Sequence, residues 1–243
     1  MPYRIFEENQ PLHVLSRAIE ERKIFEKERD CYRFIFQIYA ANIGRPAFNI
    51  RRVDIIKTAQ AILNGEEPSS KFVIKEYPPL VYLFDFVLPV THFHFYLLAT
   101  SKKNLALFMK KLKGGFAKYL NLKNSRQGVV FDGPYKSIQI KNPAQSDALI
   151  RYITIINSLD VYQPGWREKG LKNLKEAYDF LKNYQFSSFP DRIGKRRAKI
   201  LAPDEIFEKY SLKMGEEKEF EKFVKDFLKQ RFNSFNSLFL NNV

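Results

Sequence analysis

The sequence predicts an α+β fold: an antiparallel sheet with helices packed on one of its faces. Three observations carry this. Residues 80–88 and 92–99 are two apolar, β-branched and aromatic runs separated by Pro89-Val90-Thr91, the pattern of a central hairpin. Residues 27–43 and 102–121 repeat their apolar positions at helical spacing. The elements follow one another as strand, helix, strand, strand, helix, hairpin, helix, which suits a helix-covered antiparallel sheet better than a parallel one.

Taken in order, residues 12–17 read as a short first strand. The helix at 27–43 carries Phe34, Ile35, Ile38 and Tyr39 on one side and stops near Gly44 and Pro46. A second short helix spans 50–63, closed by Asn64-Gly65, and 66–70 is a loop. The basic helix at 102–121 sets Leu105, Phe108, Met109, Leu112, Phe116 and Leu120 on or near one stripe, with Gly114-Gly115 weakening its middle. Residues 129–131 and 135–140 are expected to pair as a second hairpin around Asp132-Gly133-Pro134. Asn142-Pro143 opens a helix that runs to about residue 159. Further helices are expected at 171–183, 203–212 and 216–232, the last with Phe220, Phe223, Phe227 and Leu228 at helical spacing.

A length of 243 residues fits one domain with appendages or two small ones, and 45% hydrophobic residues suffice for a core. The 23 phenylalanines suit a sheet-and-helix interior, with some available to stack on nucleobases. Lys and Arg number 41 against 27 Asp and Glu, a net charge of +14 that favours a polyanionic partner, nucleic acid first. The single cysteine, Cys31, excludes an intrachain disulfide, and the lack of Cys/His clusters argues against structural zinc. Residues 78–100 imitate a membrane span but contain Asp85, His92, His94, Pro78, Pro79 and Pro89, all costly in a bilayer. The first eight residues hold no apolar signal core, so a cytoplasmic protein without a membrane partner is expected.

Two of only three histidines stand two apart in His92-Phe93-His94. On a strand they project from the same face, where two imidazoles can share a divalent cation. The plainer alternative is a pair of hydrogen-bonded strand residues in a half-buried sheet. In the helix after Asn142, Leu149, Ile150, Ile153 and Ile156 form an apolar stripe with Tyr152 at its edge. A phenol so placed is either a nucleophile for a phosphate or a core-edge tyrosine. Tyr96 shares the strand face of His92 and His94 and competes with it. It reads as a supporting or stacking residue, because a nucleophile on the same strand has little room for in-line attack.

These segments together resemble the single-tyrosine HUH transposases, in particular the REP-associated tyrosine transposases. His13-Val14-Leu15-Ser16-Arg17 with Lys23-Ile24-Phe25 resembles the family's first strand and turn. Leu88-Pro89 with His92-Phe93-His94 resembles its His-hydrophobic-His strand. Gly128-Val129-Val130-Phe131 with Tyr135-Lys136-Ser137 resembles its next hairpin, and Arg151-Tyr152-Ile153 its Arg-Tyr-Ile. Ser187-Ser188 with Gly194 resembles its tail. The likeness spans about residues 12–195.

The resemblance implies a ferredoxin-like or RRM-like HUH core at 1–160, with 44–79 as an insertion, and a helical C-terminal extension at 161–243. It implies Tyr152 as nucleophile, His92 and His94 as ligands of Mg²⁺ or Mn²⁺, and single-stranded or hairpin DNA as substrate. Lys110, Lys111, Lys113, Lys136 and Arg151 would follow the phosphates, and a homodimer stays open. The chain also departs from the pattern. Thr154 and Ile156 stand where the family commonly has His and Asn, two and four residues after the tyrosine. Asn157 comes one residue late, about 140° from Tyr152 on an α-helix, which leaves the third ligand unassigned. One residue is inserted between Pro89 and His92, and Pro134 replaces an arginine. A non-cutting nucleic-acid-binding module on the same scaffold is therefore the second expectation, and a basic protein that contacts membrane lipid the third.

Overall fold

The structure, a computed structural model, describes residues 10–48, 51–210 and 217–229, and of 227–229 the backbone alone. β1 (Pro11–Arg17) leads through a 3₁₀ turn into α1 (Glu28–Ile43). β2 (Gly44–Pro46), α2 (Arg52–Leu63) and β3 (Val73–Lys75) follow, with β2 and β3 paired as a small separate sheet. The alanine-sized gap is absent at Gly44, where any Cβ would collide with the Ile74 carbonyl, so only glycine lets these strands meet.

β4 (Val81–Val87) and β5 (His92–Ala99) form the expected antiparallel hairpin, with a register shift between Leu83 and Asp85. α3 (Lys102–Lys123) starts where the Ser101 hydroxyl accepts the Asn104 amide hydrogen. The glycine pair does not interrupt it. Gly115 faces the Gln37 side chain of α1, where a Cβ would clash, so this glycine serves helix contact.

β6 (Lys136–Gln139) adds to the sheet, whose order is β4-β5-β1-β6 with every pair antiparallel. With α1 and α3 as crossovers this is the ferredoxin-like split β-α-β arrangement. The expected hairpin between 129–131 and 135–140 does not form. Residues 130–139 instead run along the free edge of β1: Ile19 N donates to Val130 O, Phe131 bridges Ala18, and Asp132 N donates to Arg17 O. Pairing with β1 satisfies more backbone groups than a strand of three residues folded on itself would.

The remaining elements are α4 (Pro143–Arg151), a π-helical turn (Tyr152–Ile156), α5 (Asn157–Tyr162) and α6 (Trp166–Lys169). They continue with α7 (Leu174–Asn183), α8 (Phe189–Arg192), α9 (Asp204–Phe207) and α10 (Glu217–Lys229). The helix expected at 203–212 is thus shorter among the described residues, and its last two positions lie outside them. The last helix begins at Glu217, while its expected first residue, its final residues and the side chains of Phe227 and Leu228 lie outside the described set, as does Ile50 at the expected start of α2.

Helices cover both faces of the sheet, not one. Leu12, Val14, Phe93, Phe95 and Leu97 pack on α1 and α3 around Phe34, Phe108, Leu112 and Phe116. Alternation then sends the other side chains of the same strands to the opposite face. There Phe84, Val87 and Tyr96 pack with Tyr152, Ile153, Ile156, Trp166, Leu181, Phe189, Phe220 and Val224. The helices beyond residue 160 therefore close the same core as Tyr152.

The outer edge of β4 is covered rather than left open. Asn42 bonds both backbone groups of Val81, Ser188 N donates to Phe86 O, Leu88 N donates to Phe186 O, and Ala202 N donates to Leu83 O. Ser187 and Ser188 are fully buried in this contact. No helix among the described residues is long and apolar enough to cross a membrane.

Candidate functional site

The sheet face toward α4–α6 gathers polar side chains in cross-strand rows. Arg17 pairs with His92, Lys136 with Leu15 and His94, and Ile138 with His13, Tyr96 and Asp85. His92 and His94 share that face, with ring centroids 4.9 Å apart. The Tyr152 ring stands at right angles to the His94 ring, 5.6 Å from it. The three residues singled out by their spacing are thus brought together.

His94 is fully buried and Tyr152 is 3% exposed. Burial lowers the imidazole of His92 to about 3, helped by Arg17 and Arg167 and opposed by a hydrogen bond with Asn157. His94 lies well below the usual imidazole value, first through burial and then through neighbouring His92, His13 and the two arginines. Both rings are therefore neutral at neutral pH, the state a metal ligand needs. The His92 Nδ1 lies 3.0 Å from the Thr91 hydroxyl, and His94 Nδ1 lies 2.8 Å from His13 Nε2. His94 Nε2 is buried with no hydrogen-bond partner among the described residues. Burial raises the Tyr152 phenol, while Arg167 and Asn157 pull it back down.

The π turn changes the position of Asn157. It begins at Tyr152, and the amide N–H of Asn157 reaches the Tyr152 carbonyl. The Asn157 Nδ2 donates to the same carbonyl at 2.8 Å. The run Ile153-Thr154-Ile155-Ile156 is β-branched throughout, which crowds a regular α-helix, and Thr154 Oγ1 donates to Ile150 O at 2.7 Å. A π turn spends one extra residue per turn. Residue i+5 then stands about where i+4 stands in an α-helix, so Asn157 faces His92 and Tyr152 instead of turning away.

Two arginines outside the expected set of site residues flank it. Arg17 sits opposite His92 on β1. Arg167 lies over the Tyr152 ring at 5.9 Å. Gly165, at φ 79°, turns the chain in the left-handed region just before α6. That turn buries Trp166, and Asp160 accepts from both Trp166 Nε1 at 3.0 Å and Arg167 Nε at 2.8 Å. Arg17 lies two strand positions beyond Leu15 and could be placed by alternation once β1 was paired with β5. Arg167 has no local signal.

The proposed phosphate-tracking residues are distributed differently. Lys136 lies on the site face at the sheet edge. The Arg151 guanidinium lies 5.1 Å over Phe223 of α10. Lys110, Lys111 and Lys113 are on α3, across the sheet from Tyr152. There Lys111 lies over Tyr77 at 4.9 Å and Lys113 donates to Gly133 O at 2.8 Å. Tyr96 is fully buried, edge-on to Phe84, with its hydroxyl 2.7 Å from Ser146 Oγ. It supports the wall and does not present a stacking surface.

No group of three His, Cys, Asp or Glu that could hold a metal occurs among the described residues. Two neutral imidazoles, an orphaned buried nitrogen and the Asn157 amide nevertheless fit a divalent cation that completes its shell with other oxygens. A groove of about 510 Å³ between α1, β3, β4 and residues 197–204 shares no residue with this cluster.

Among solved structures the chain is similar to a REP-associated tyrosine transposase bound to a REP hairpin. The two are 13% identical over 88% of this chain and 97% of that one, with a TM-score of 0.45. No protein-family model and no curated protein matches the chain.

Proposed function

We propose that the protein cleaves and joins single-stranded DNA through a tyrosine nucleophile, in the manner of the transposase family its motifs resemble. The observation that carries this reading is the Tyr152 ring set perpendicular to His94, 5.6 Å away, with Arg167 over the phenol. A Mg²⁺ or Mn²⁺ ion held by His92, His94 and Asn157 would polarise the scissile phosphate and offset its developing charge. Arg17 and Arg167 are suited to orient the phosphate, and Lys136 to follow the strand beyond it.

Tyr152 gives up its phenolic proton as Oη bonds to phosphorus. The bond from phosphorus to the 3′ oxygen breaks, and that oxygen takes up a proton. The products are a 5′-phosphotyrosine link and a free 3′-hydroxyl, and attack by another 3′-hydroxyl reverses the step and joins strands. Arg167 favours the phenolate by charge, and the buried setting keeps water from competing. The substrate class follows from the net charge of +14 and from the family resemblance, which points to a strand beside a DNA hairpin.

The test is incubation with labelled single-stranded hairpin DNA and Mn²⁺, followed by a denaturing protein gel. A covalent adduct is expected from wild type and not from Tyr152→Phe. An adduct that persists in the variant refutes the assignment of the nucleophile. The absence, among the described residues, of three His, Cys, Asp or Glu grouped so as to hold a metal favours one other reading, a nucleic-acid-binding module that does not cut. Tight hairpin binding with no adduct across a panel of hairpins would select it.

A further inference from the structure

The chain has three histidines, and all three meet at this site. The proposed cation site uses two of them, His92 and His94. His13, on β1 opposite Tyr96, is fully buried and diagonal to His94. Its ring is stacked on that of His94 with centroids 5.1 Å apart and planes 19° off parallel. Its Nε2 lies 2.8 Å from His94 Nδ1.

Both rings are fully buried, and a neutral imidazole carries one N–H. One proton lies in the bond between them, and it belongs to one ring or the other. If His13 Nε2 donates, His94 Nδ1 is the acceptor and the second N–H of the pair must sit on His94 Nε2, which then cannot bind a metal. If His94 Nδ1 donates, His94 Nε2 is a bare lone pair. That nitrogen is buried and has no hydrogen-bond partner among the described residues. Binding of a cation by that lone pair therefore requires the second arrangement, in which the other N–H of the pair sits on His13 Nδ1.

From this geometry we infer that His13 is a positioning residue: it accepts the Nδ1–H of His94 and so fixes His94 in the tautomer whose Nε2 lone pair is offered to a divalent cation. The stacked ring also holds the His94 plane. The inference rests on the cation-binding reading of His92 and His94. It assigns to a histidine on a different strand the orienting role that partners of metal-bound imidazoles commonly fill.

The experiment uses the full chain, free of metal and labelled with ¹⁵N. Long-range ¹H–¹⁵N NMR reads the tautomer of each imidazole, and three histidines give a spectrum that single His→Gln variants assign. Titration calorimetry with Mn²⁺ alone is then run on wild type, His13→Phe and His13→Gln. Wild-type His94 is expected as the Nδ1–H form. His13→Phe keeps a ring and removes the acceptor, and should weaken Mn²⁺ binding on the order of 10- to 100-fold. His13→Gln keeps an acceptor oxygen and should recover most of that loss.

Wild-type His94 in the Nε2–H form overturns the inference. So does unchanged Mn²⁺ affinity in His13→Phe, or an equal loss in a folded His13→Gln, which would make the role one of ring packing. A wild type that binds no Mn²⁺ sinks the cation reading instead, and the NMR result still decides the direction of the His13–His94 bond. Should His13→Phe fail to fold, the wild-type tautomer and His13→Gln decide.

Discussion

Asp85 and Arg192 form the ion pair that fastens the segment after α7 to the edge of the sheet, and replacing Asp85 by Ala tests how far that region is sealed from water. The two side chains are 0% and 1% exposed. Arg192 Nε donates to Asp85 Oδ1 at 2.8 Å, Nη2 donates to Oδ2, and the Ser188 hydroxyl adds a 2.8 Å bond to Oδ1. Phe207 covers the guanidinium from 4.4 Å. Asp85→Ala would leave a buried cation facing an aromatic wall and take an acceptor from Ser188. Removing one partner of a buried pair costs about 3–5 kcal/mol. With a urea slope of about 3 kcal/mol/M for a chain of this size, the unfolding midpoint should fall by about 1–1.7 M. The assay is urea unfolding followed by fluorescence of Trp166, the single tryptophan and fully buried. The double variant Asp85→Leu with Arg192→Met removes the charges together and should lie within about 1 kcal/mol of wild type, or above it. A loss below about 1 kcal/mol in the single variant would refute the premise that the pair is shut away from solvent. A double variant as unstable as the single would show that shape, not a stranded charge, sets the cost.

The two glycines of α3 should behave oppositely. A Cβ at Gly114 meets nothing within 4 Å, so Gly114→Ala should stabilise by about 0.5–1 kcal/mol. Gly115→Ala must displace the buried Gln37 amide, whose Nε2 donates to Lys111 O at 3.2 Å, and should lower the melting temperature despite its better helix propensity. Equal shifts from both would contradict the contact between α1 and α3. Stability should fall on mild acidification. Burial holds His13 and His92 down to about 3, and His94 well below its usual value, so below about pH 6.5 the unfolded chain takes up protons first. Each imidazole then contributes a slope of about 1.4 kcal/mol per pH unit, present above 6.5 and progressively lost beneath it. Urea midpoints flat from pH 7 to 5 would refute this. Arg167→Met removes the charge that pulls the Tyr152 phenol down, so the pH dependence of DNA-adduct formation should move to higher pH. An unmoved profile with a lower plateau would point to phosphate binding as the arginine's whole role.

The parts of this protein that were legible in the sequence are those that local periodicity controls. Alternation of Phe93, Phe95 and Leu97 with His92, His94 and Tyr96 marks β5 and puts both histidines on one face before any partner strand is known. The 3.6-residue stripes mark α1 and α3, and Asn142 marks a helix start by capping. Tertiary structure decided what stands around those histidines. Strand order set β1 beside β5 and so brought His13 to His94 across 81 positions of sequence. The course of 130–139 along β1 replaced a local hairpin because the open edge of β1 offered more backbone partners. One extra residue in a crowded β-branched run was absorbed as a π turn, and that turned Asn157 back toward Tyr152. Arg167 reached the phenol through the turn at Gly165 and the Asp160 carboxylate. Periodicity reports which face a residue shares with its near neighbours, whereas the partner across the sheet or beneath the helix depends on how separately formed elements bury their apolar faces together, and no short window of sequence contains that information.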